Sequence, residues 1–200
     1  MADADAAVAA IEAGELAIIP TDTVYGLAAT PHVEAAVRRL YRAKGRVDAQ
    51  PTALVVRDLD ALRECLPELT GAQERVAQAL LPGPYTLILP NPTRRFPWLA
   101  GSRPETIGVR IPALTGPVRD VLSRVGALVA TSANMPGGPD PRTLDQVPGQ
   151  LRAAAAALVD GGELPGTPST VIDLTGPEPV VLREGAVPAE EALRVVASVL

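Results

Sequence analysis

The segment LAIIPTDTVYG, Leu16 to Gly26, decides how the chain is read. Leu16 to Pro20 is a short apolar run with two adjacent isoleucines, which suits a buried strand better than a helix. It runs straight into TDTVYG, a polar turn. Upstream, Asp3 to Ala13 has the pattern of an amphipathic helix stopped by Gly14. Downstream, strand and helix signals mix. Strands are predicted at Thr52 to Val56, Tyr85 to Leu89, Thr106 to Ile111, Ala127 to Ala130, Ser169 to Asp173 and Val180 to Arg183. Helices are predicted at Val33 to Arg42, Leu59 to Leu66, Ala72 to Leu81, Pro117 to Val125 and Pro188 to Leu200. Ala153 to Leu158 reads as the close of a further helix, with a strand starting over Leu158 to Asp160. The last two strands flank TGPEP and read as a hairpin. Alternation is not strict, so the sheet is expected to be mixed rather than all parallel. The expected fold is α/β: one domain over residues 1–200, with a twisted mixed sheet flanked by helices. The Pro/Gly-rich segments Asn91 to Pro104 and Met135 to Pro148 are loops within it.

The bulk numbers bound the class. Two hundred residues suffice to bury roughly 70% of the unfolded surface. Apolar content of 47% with 20% charged residues describes a globular chain. Cys65 is the only cysteine, which excludes a disulfide framework and a cysteine metal cage and fits a reducing, cytoplasmic setting. His32 is the only histidine, so histidine triads and multi-histidine metal sites are excluded. The acidic N-terminus lacks the positive region of a signal peptide. The longest apolar run, Ala153 to Val159, is too short to cross a bilayer, so no membrane role is expected. A net charge of -5 does not favour nucleic acid in bulk, though a local basic groove is compatible with it.

Polar residues gather just past strand ends, where open α/β sheets bind ligands. Thr21 to Thr23 follow the first strand; Thr131, Ser132 and Asn134 follow the strand at Ala127. Ser169 and Thr170 open a strand, and Arg183 ends one. Arg110 lies inside the otherwise apolar TIGVRIP. Each also suits a plain role: turn residues, caps or a solvent-facing strand arginine. Lys44 is the only lysine among 17 arginines. It stands two residues before Arg46, beside Gly45. Lysine is a compact point charge, whereas arginine grips phosphate with a fork. Together the two could reach one polyphosphate.

In order along the chain, PTDTVYGLAAT, YRAKGR, PGPYTLILP, TIGVRIP, TSAN and DGGELPGTPSTVIDL with VLREGAV resemble the motifs of the YrdC-like family, the threonylcarbamoyl-adenylate synthases. The resemblance implies that family's fold, shared with dihydroxybutanone-phosphate synthase, with a wide concave active site. It implies a nucleotidyltransferase reaction. L-threonine, bicarbonate or CO2, and ATP would give threonylcarbamoyl-adenylate and pyrophosphate. The product would serve N6-threonylcarbamoyladenosine modification of tRNA. Mg²⁺ would accompany the polyphosphate, held by phosphates and water. Threonylcarbamoyl-transfer proteins would be partners, with weak tRNA binding.

By the same resemblance, Lys44 and Arg46 would be catalytic and bind the ATP phosphates. Gln50, Thr106, Asn134, Arg142 and Arg183 would lie on the ATP side. Thr23, Arg110, Ser132 and Ser169 would bind threonine, with Arg110 on its carboxylate. No metal ligand of the protein is implied. The sequence departs from the family pattern in KGRV for KGRP, in Gln50-Pro51-Thr52 for Asn-Pro-Leu, and at Val55, where some relatives have histidine. It departs again in Met135-Pro136-Gly137 and Asp140-Pro141-Arg142 after TSAN, and in Ala113-Leu114 after the arginine strand. The chain ends soon after the last motif, like the short family form. The alternatives are a non-catalytic RNA-binding module and a carbamoyl-adenylate-forming enzyme with another acceptor. Only 2% aromatic residues leave little for base stacking.

Overall fold

The computed structural model describes residues 2–45 and 50–200. Nine strands form one mixed sheet: β1 Ala17–Pro20, β2 Tyr25–Ala29, β3 Ala53–Val56, β4 Tyr85–Pro90, β5 Thr106–Arg110, β6 Ala127–Ser132, β7 Ala157–Leu158, β8 Thr170–Asp173 and β9 Val180–Arg183. Their order across the sheet is β7-β1-β2-β6-β3-β5-β4-β8-β9. The β1/β7, β3/β5 and β4/β8 pairs are parallel. The remaining neighbours are antiparallel, including the β8/β9 hairpin around TGPEP. The helices are α1 Ala2–Glu12, α2 Glu34–Ala43, α3 Leu59–Cys65, α4 Gly71–Leu80, α5 Gly116–Val125, α6 Gly149–Ala154 and α7 Ala189–Ala197. Gly14, at φ +75°, ends α1 in the left-handed region that glycine enters at little cost.

Helices α2, α3, α4, α6 and α7 cover one face of the sheet. α2 shows why: Ala36, Val37, Leu40 and Tyr41 recur at helical spacing and are buried against Leu27, Ala29 and Leu54. Val33, expected on the same stripe, precedes the helix and is exposed. Among the described residues, helices cover the opposite face over β7, β1, β2, β6 and β3. There α1 and α5 pack Ala7, Ile11, Val121 and Leu122 against Ile19, Ala28, Val55 and Leu128. The rest of that face, over β5, β4, β8 and β9, has no helix above it in this cluster. This asymmetry makes the cavity described below.

Three expectations change. The polar turn is shorter than TDTVYG: Tyr25 already opens β2, which hairpins back on β1. All five β2 residues are buried, so the strand has no polar alternation to reveal it. Thr131 and Ser132 lie in β6 rather than after it. The helix placed over Ala153 to Leu158 ends at Ala154, because Ala157 and Leu158 pair with Ala17 and Ile18 of β1. Alanine's helix propensity loses there to sheet closure. Among the described residues, no helix is long and apolar enough to cross a membrane.

Candidate active site

The uncovered part of the sheet forms the floor of a cavity of about 470 Å³. Strand alternation decides what faces it. In β5, Ile107 and Val109 enter the core while Thr106, Gly108 and Arg110 line the cavity. In β4, Leu87 and Leu89 are core while Thr86 and Ile88 line the cavity. Val171 of β8 and Leu182 of β9 extend the floor. Ala53 and Ala130 keep it low beneath the turn that carries Thr23.

One wall is made by the β8–β9 hairpin. Arg183 folds back so that Nε and Nη2 donate to the Ser169 carbonyl at 3.2 and 2.8 Å, and Nη2 reaches Ser169 Oγ at 3.2 Å. The Ser169 hydroxyl is also 2.8 Å from Thr86 Oγ1. Opposite, Thr23 is buried with its hydroxyl 3.0 Å from Thr21 Oγ1, which in turn donates to the Val24 carbonyl. Arg110 ends β5 between these walls. Its Nη2 donates to Asp22 Oδ1 at 2.7 Å. Burial pushes the Arg110 guanidinium below the ordinary arginine range; Asp22 pulls the other way, and the nearby charge of Arg183 adds to the downward push.

The chemistry-bearing residues predicted from sequence divide into groups. Thr23, Thr106, Arg110, Ser132, Ser169 and Arg183 all line the one cavity. Thr106 turns its hydroxyl to the Arg103 carbonyl at 2.9 Å. Lys44 and Asn134 stand beside the cavity rather than in its lining. Lys44 is 1% exposed, at the C-terminal end of α2. Its ammonium donates to the Ser132 carbonyl at 2.6 Å, to Asn134 Oδ1 at 2.7 Å and to the Asn134 carbonyl. Asn134 turns into its own loop, donating to the Gly138 carbonyl at 2.7 Å and to Asp140 Oδ1 at 3.1 Å. Gln50 is exposed and lies outside the lining. Arg142 is exposed too: it pairs with Glu163 at 2.7 Å and donates to the Leu164 carbonyl at 3.1 Å. Arg46 lies outside the described residues.

Sequence reasoning gave no role to three residues of this region, although Asp22 stood in its strand-end cluster. Thr86 is a lone hydroxyl in an apolar strand, the same signal that marked Arg110. Arg103 joins the lining from the loop before β5 and pairs with Asp173 at 3.0 Å. Asp22 looked like a turn former, and nothing in its neighbours announces an arginine far along the chain. Among the described residues, two buried side-chain polar atoms lack a hydrogen-bond partner, Thr52 Oγ1 and Arg110 Nε. Both belong to residues of this lining. Such an atom costs about 1–3 kcal/mol and calls for an explanation.

A mixed α/β sheet with arginines and hydroxyls gathered at its strand ends has the layout of the class of α/β proteins whose ligand crevices lie at strand ends. The family model Sua5_yciO_yrdC, described as telomere recombination, matches residues 9–185, and the chain belongs to that family. A threonylcarbamoyl-AMP synthase of Pyrococcus abyssi is 35% identical over 190 residues, covering 94% of this chain. The chain spans only 56% of that relative's length. A putative threonylcarbamoyl-AMP synthase of Mycobacterium tuberculosis is 33% identical over 190 residues, covering 94% of this chain and 87% of the relative. The crystal structure of P. abyssi Sua5 complexed with L-threonine matches with a TM-score of 0.86 at 35% identity, over 96% of this chain and 57% of that one. E. coli YciO matches with a TM-score of 0.82 at 27% identity, over 95% and 92%.

Proposed function

We propose that this chain is an L-threonylcarbamoyladenylate synthase. Threonine's amine adds to CO2 and loses a proton, giving an N-carboxylate. That carboxylate attacks the α-phosphate of ATP, and pyrophosphate leaves. The observation that carries the reading is Arg110, a buried cation at the end of β5, in a cavity also lined by Thr23, Thr86, Ser132 and Ser169. Arginine suits a carboxylate, and the hydroxyls offer donors and acceptors to a small polar amino acid. The P. abyssi relative's structure with L-threonine supports the same substrate.

The reaction asks for positioning and charge neutralisation rather than a strong acid or base. Arg183, with Thr106 and Arg103 further along the lining, gives ATP a polar flank. Lys44 and Arg46 are proposed for the phosphates, with Gln50, Asn134 and Arg142 as further nucleotide contacts. Lys44 would act from the Ser132–Asn134 segment that it holds. Among the described residues, no three His, Cys, Asp or Glu side chains are grouped for a metal ion. A Mg²⁺ entering with ATP would be carried by phosphates and water, with the Asp140 carboxylate of the lining nearby. The product would pass, in the cytoplasm, to proteins that load threonylcarbamoyl onto tRNA.

The test is pyrophosphate release from ATP by the purified chain. Release that requires both L-threonine and bicarbonate, and that falls at least tenfold in Arg110→Ala, is the expected outcome. Release indifferent to threonine would point to another acceptor, and no release with ATP bound would sink the enzyme reading.

A further inference from the structure

Asp22 stands behind the cavity rather than in its lining, at the turn between β1 and β2. Its two carboxylate oxygens are divided between two partners. Oδ1 accepts from Arg110 Nη2 at 2.7 Å, and Oδ2 accepts from the Ala113 amide at 3.3 Å. The pair is withdrawn from water, with 14% of the Arg110 side chain and 9% of the Asp22 side chain exposed. One carboxylate therefore ties the turn that carries Thr23 to the end of the strand that carries Arg110, and to the segment just beyond it.

The tie leaves Arg110 incomplete. Nε is buried with no hydrogen-bond partner. A guanidinium is a rigid planar fork, so fixing one amino group fixes the direction of the remaining N–H groups. The fork lines the cavity, and its N–H groups that face it are the ones a second acceptor can meet. Charge points the same way. Among the described residues, Asp22 steadies the charge of Arg110 and Arg183 opposes it. Among the described residues of the lining, three arginines, Arg103, Arg110 and Arg183, stand against one carboxylate, Asp140, a balance that favours an incoming anion. The same cavity is lined by Thr23, Ser132 and Ser169, whose hydroxyls offer donors and acceptors to a polar ligand.

We propose that Asp22 is a positioning residue, which holds the Arg110 guanidinium in the orientation that receives the substrate's carboxylate. This rests on the reading of the cavity as an L-threonine site, and adds to it the residue that aims the receptor. Without Asp22, Arg110 would be free to turn toward Arg183's acceptors or to water, and each bound carboxylate would have to order it again.

The experiment is titration of L-threonine, with and without ATP, into the wild type, Asp22→Ala, Asp22→Asn and Arg110→Ala. Asp22→Ala is expected to weaken L-threonine binding by roughly tenfold while leaving ATP affinity unchanged, and to cost nothing further when combined with Arg110→Ala. Asp22→Asn keeps an acceptor oxygen and is expected to recover most of the loss. A merely structural aspartate would lower stability without separating threonine from ATP. Should Asp22→Ala fail to fold, Asp22→Glu takes its place, because the extra methylene displaces the guanidinium while keeping the charge. Unchanged threonine affinity in a folded Asp22 variant, or equal losses for threonine and ATP, would overturn the proposal and leave the synthase reading standing. Failure of the wild type itself to bind L-threonine would overturn both.

Discussion

Lys44 shows how differently one residue reads in sequence and in space. As the only lysine, beside Gly45 and two residues before Arg46, it reads as a charge that reaches a polyphosphate. The structure buries it at the end of α2, with its ammonium on two carbonyls and one amide oxygen of the Ser132–Asn134 segment. A compact, tetrahedral donor fits three converging acceptors; a flat guanidinium does not. Lys44→Arg is therefore expected to destabilise the protein by about 1–3 kcal/mol, several degrees in thermal midpoint, and to lower turnover. Thermal denaturation checks it, and a midpoint unchanged by arginine would mean a merely solvated lysine. What was legible at this scale was chemistry out of place: hydroxyls at strand ends and an arginine inside TIGVRIP. Asp22 was not legible, because an aspartate in a turn is ordinary and its partner lies 88 positions away. Arg142 was legible as a charge but not in position: it lies over Gly166, where a Cβ would come within 2.6 Å of its side chain.

At the scale of elements, most strands and helices were readable because half-buried elements carry a period. β2 escaped because it is buried on every residue, and the end of α6 escaped because alanine does not mark where a helix must yield to a strand. The β8–β9 hairpin was readable from TGPEP, yet its use was not. Its exit is pressed against the residue that Arg183 clamps: a Cβ on Gly185 would stand 2.2 Å from the Pro168 carbonyl oxygen and 2.6 Å from that of Ser169. Both obstacles are backbone, so no side chain can yield. Gly185→Ala is expected to cost about 1–3 kcal/mol and to lower turnover by loosening the Arg183–Ser169 wall. Gly176→Ala, in the turn of the same hairpin, meets nothing closer than 3.6 Å and should change neither midpoint nor turnover. Equal effects of the two substitutions would detach the hairpin's exit from the site.

For the molecule as a whole, the α/β class followed from the mixture of signals, whereas the strand order could not, since it depends on which distant segments pair. The order is what makes the site, by leaving β5, β4, β8 and β9 uncovered on one face. A cavity built from arginines and buried unpaired donors should be stabilised when filled. Saturating L-threonine with ATP, at about 100 times their dissociation constants, is expected to add about 2.7 kcal/mol for each ligand that binds only the folded state. For a chain of this size that is roughly 5–10 °C per ligand. A melting curve unmoved by both would contradict the proposed substrates.

The sheet order also governs when the site comes into being. β1 waits for β7, and β4 waits for β8, so both parallel pairings close long loops of chain. Thr23 is made first, Arg110 after it, and Ser169 and Arg183 last of the four. Loop-closure entropy must be met before such distant contacts stabilise anything. The nascent chain thus holds its threonines and arginines apart until the last hairpin docks. The lining of the cavity is complete only once β8 and β9 have joined the sheet.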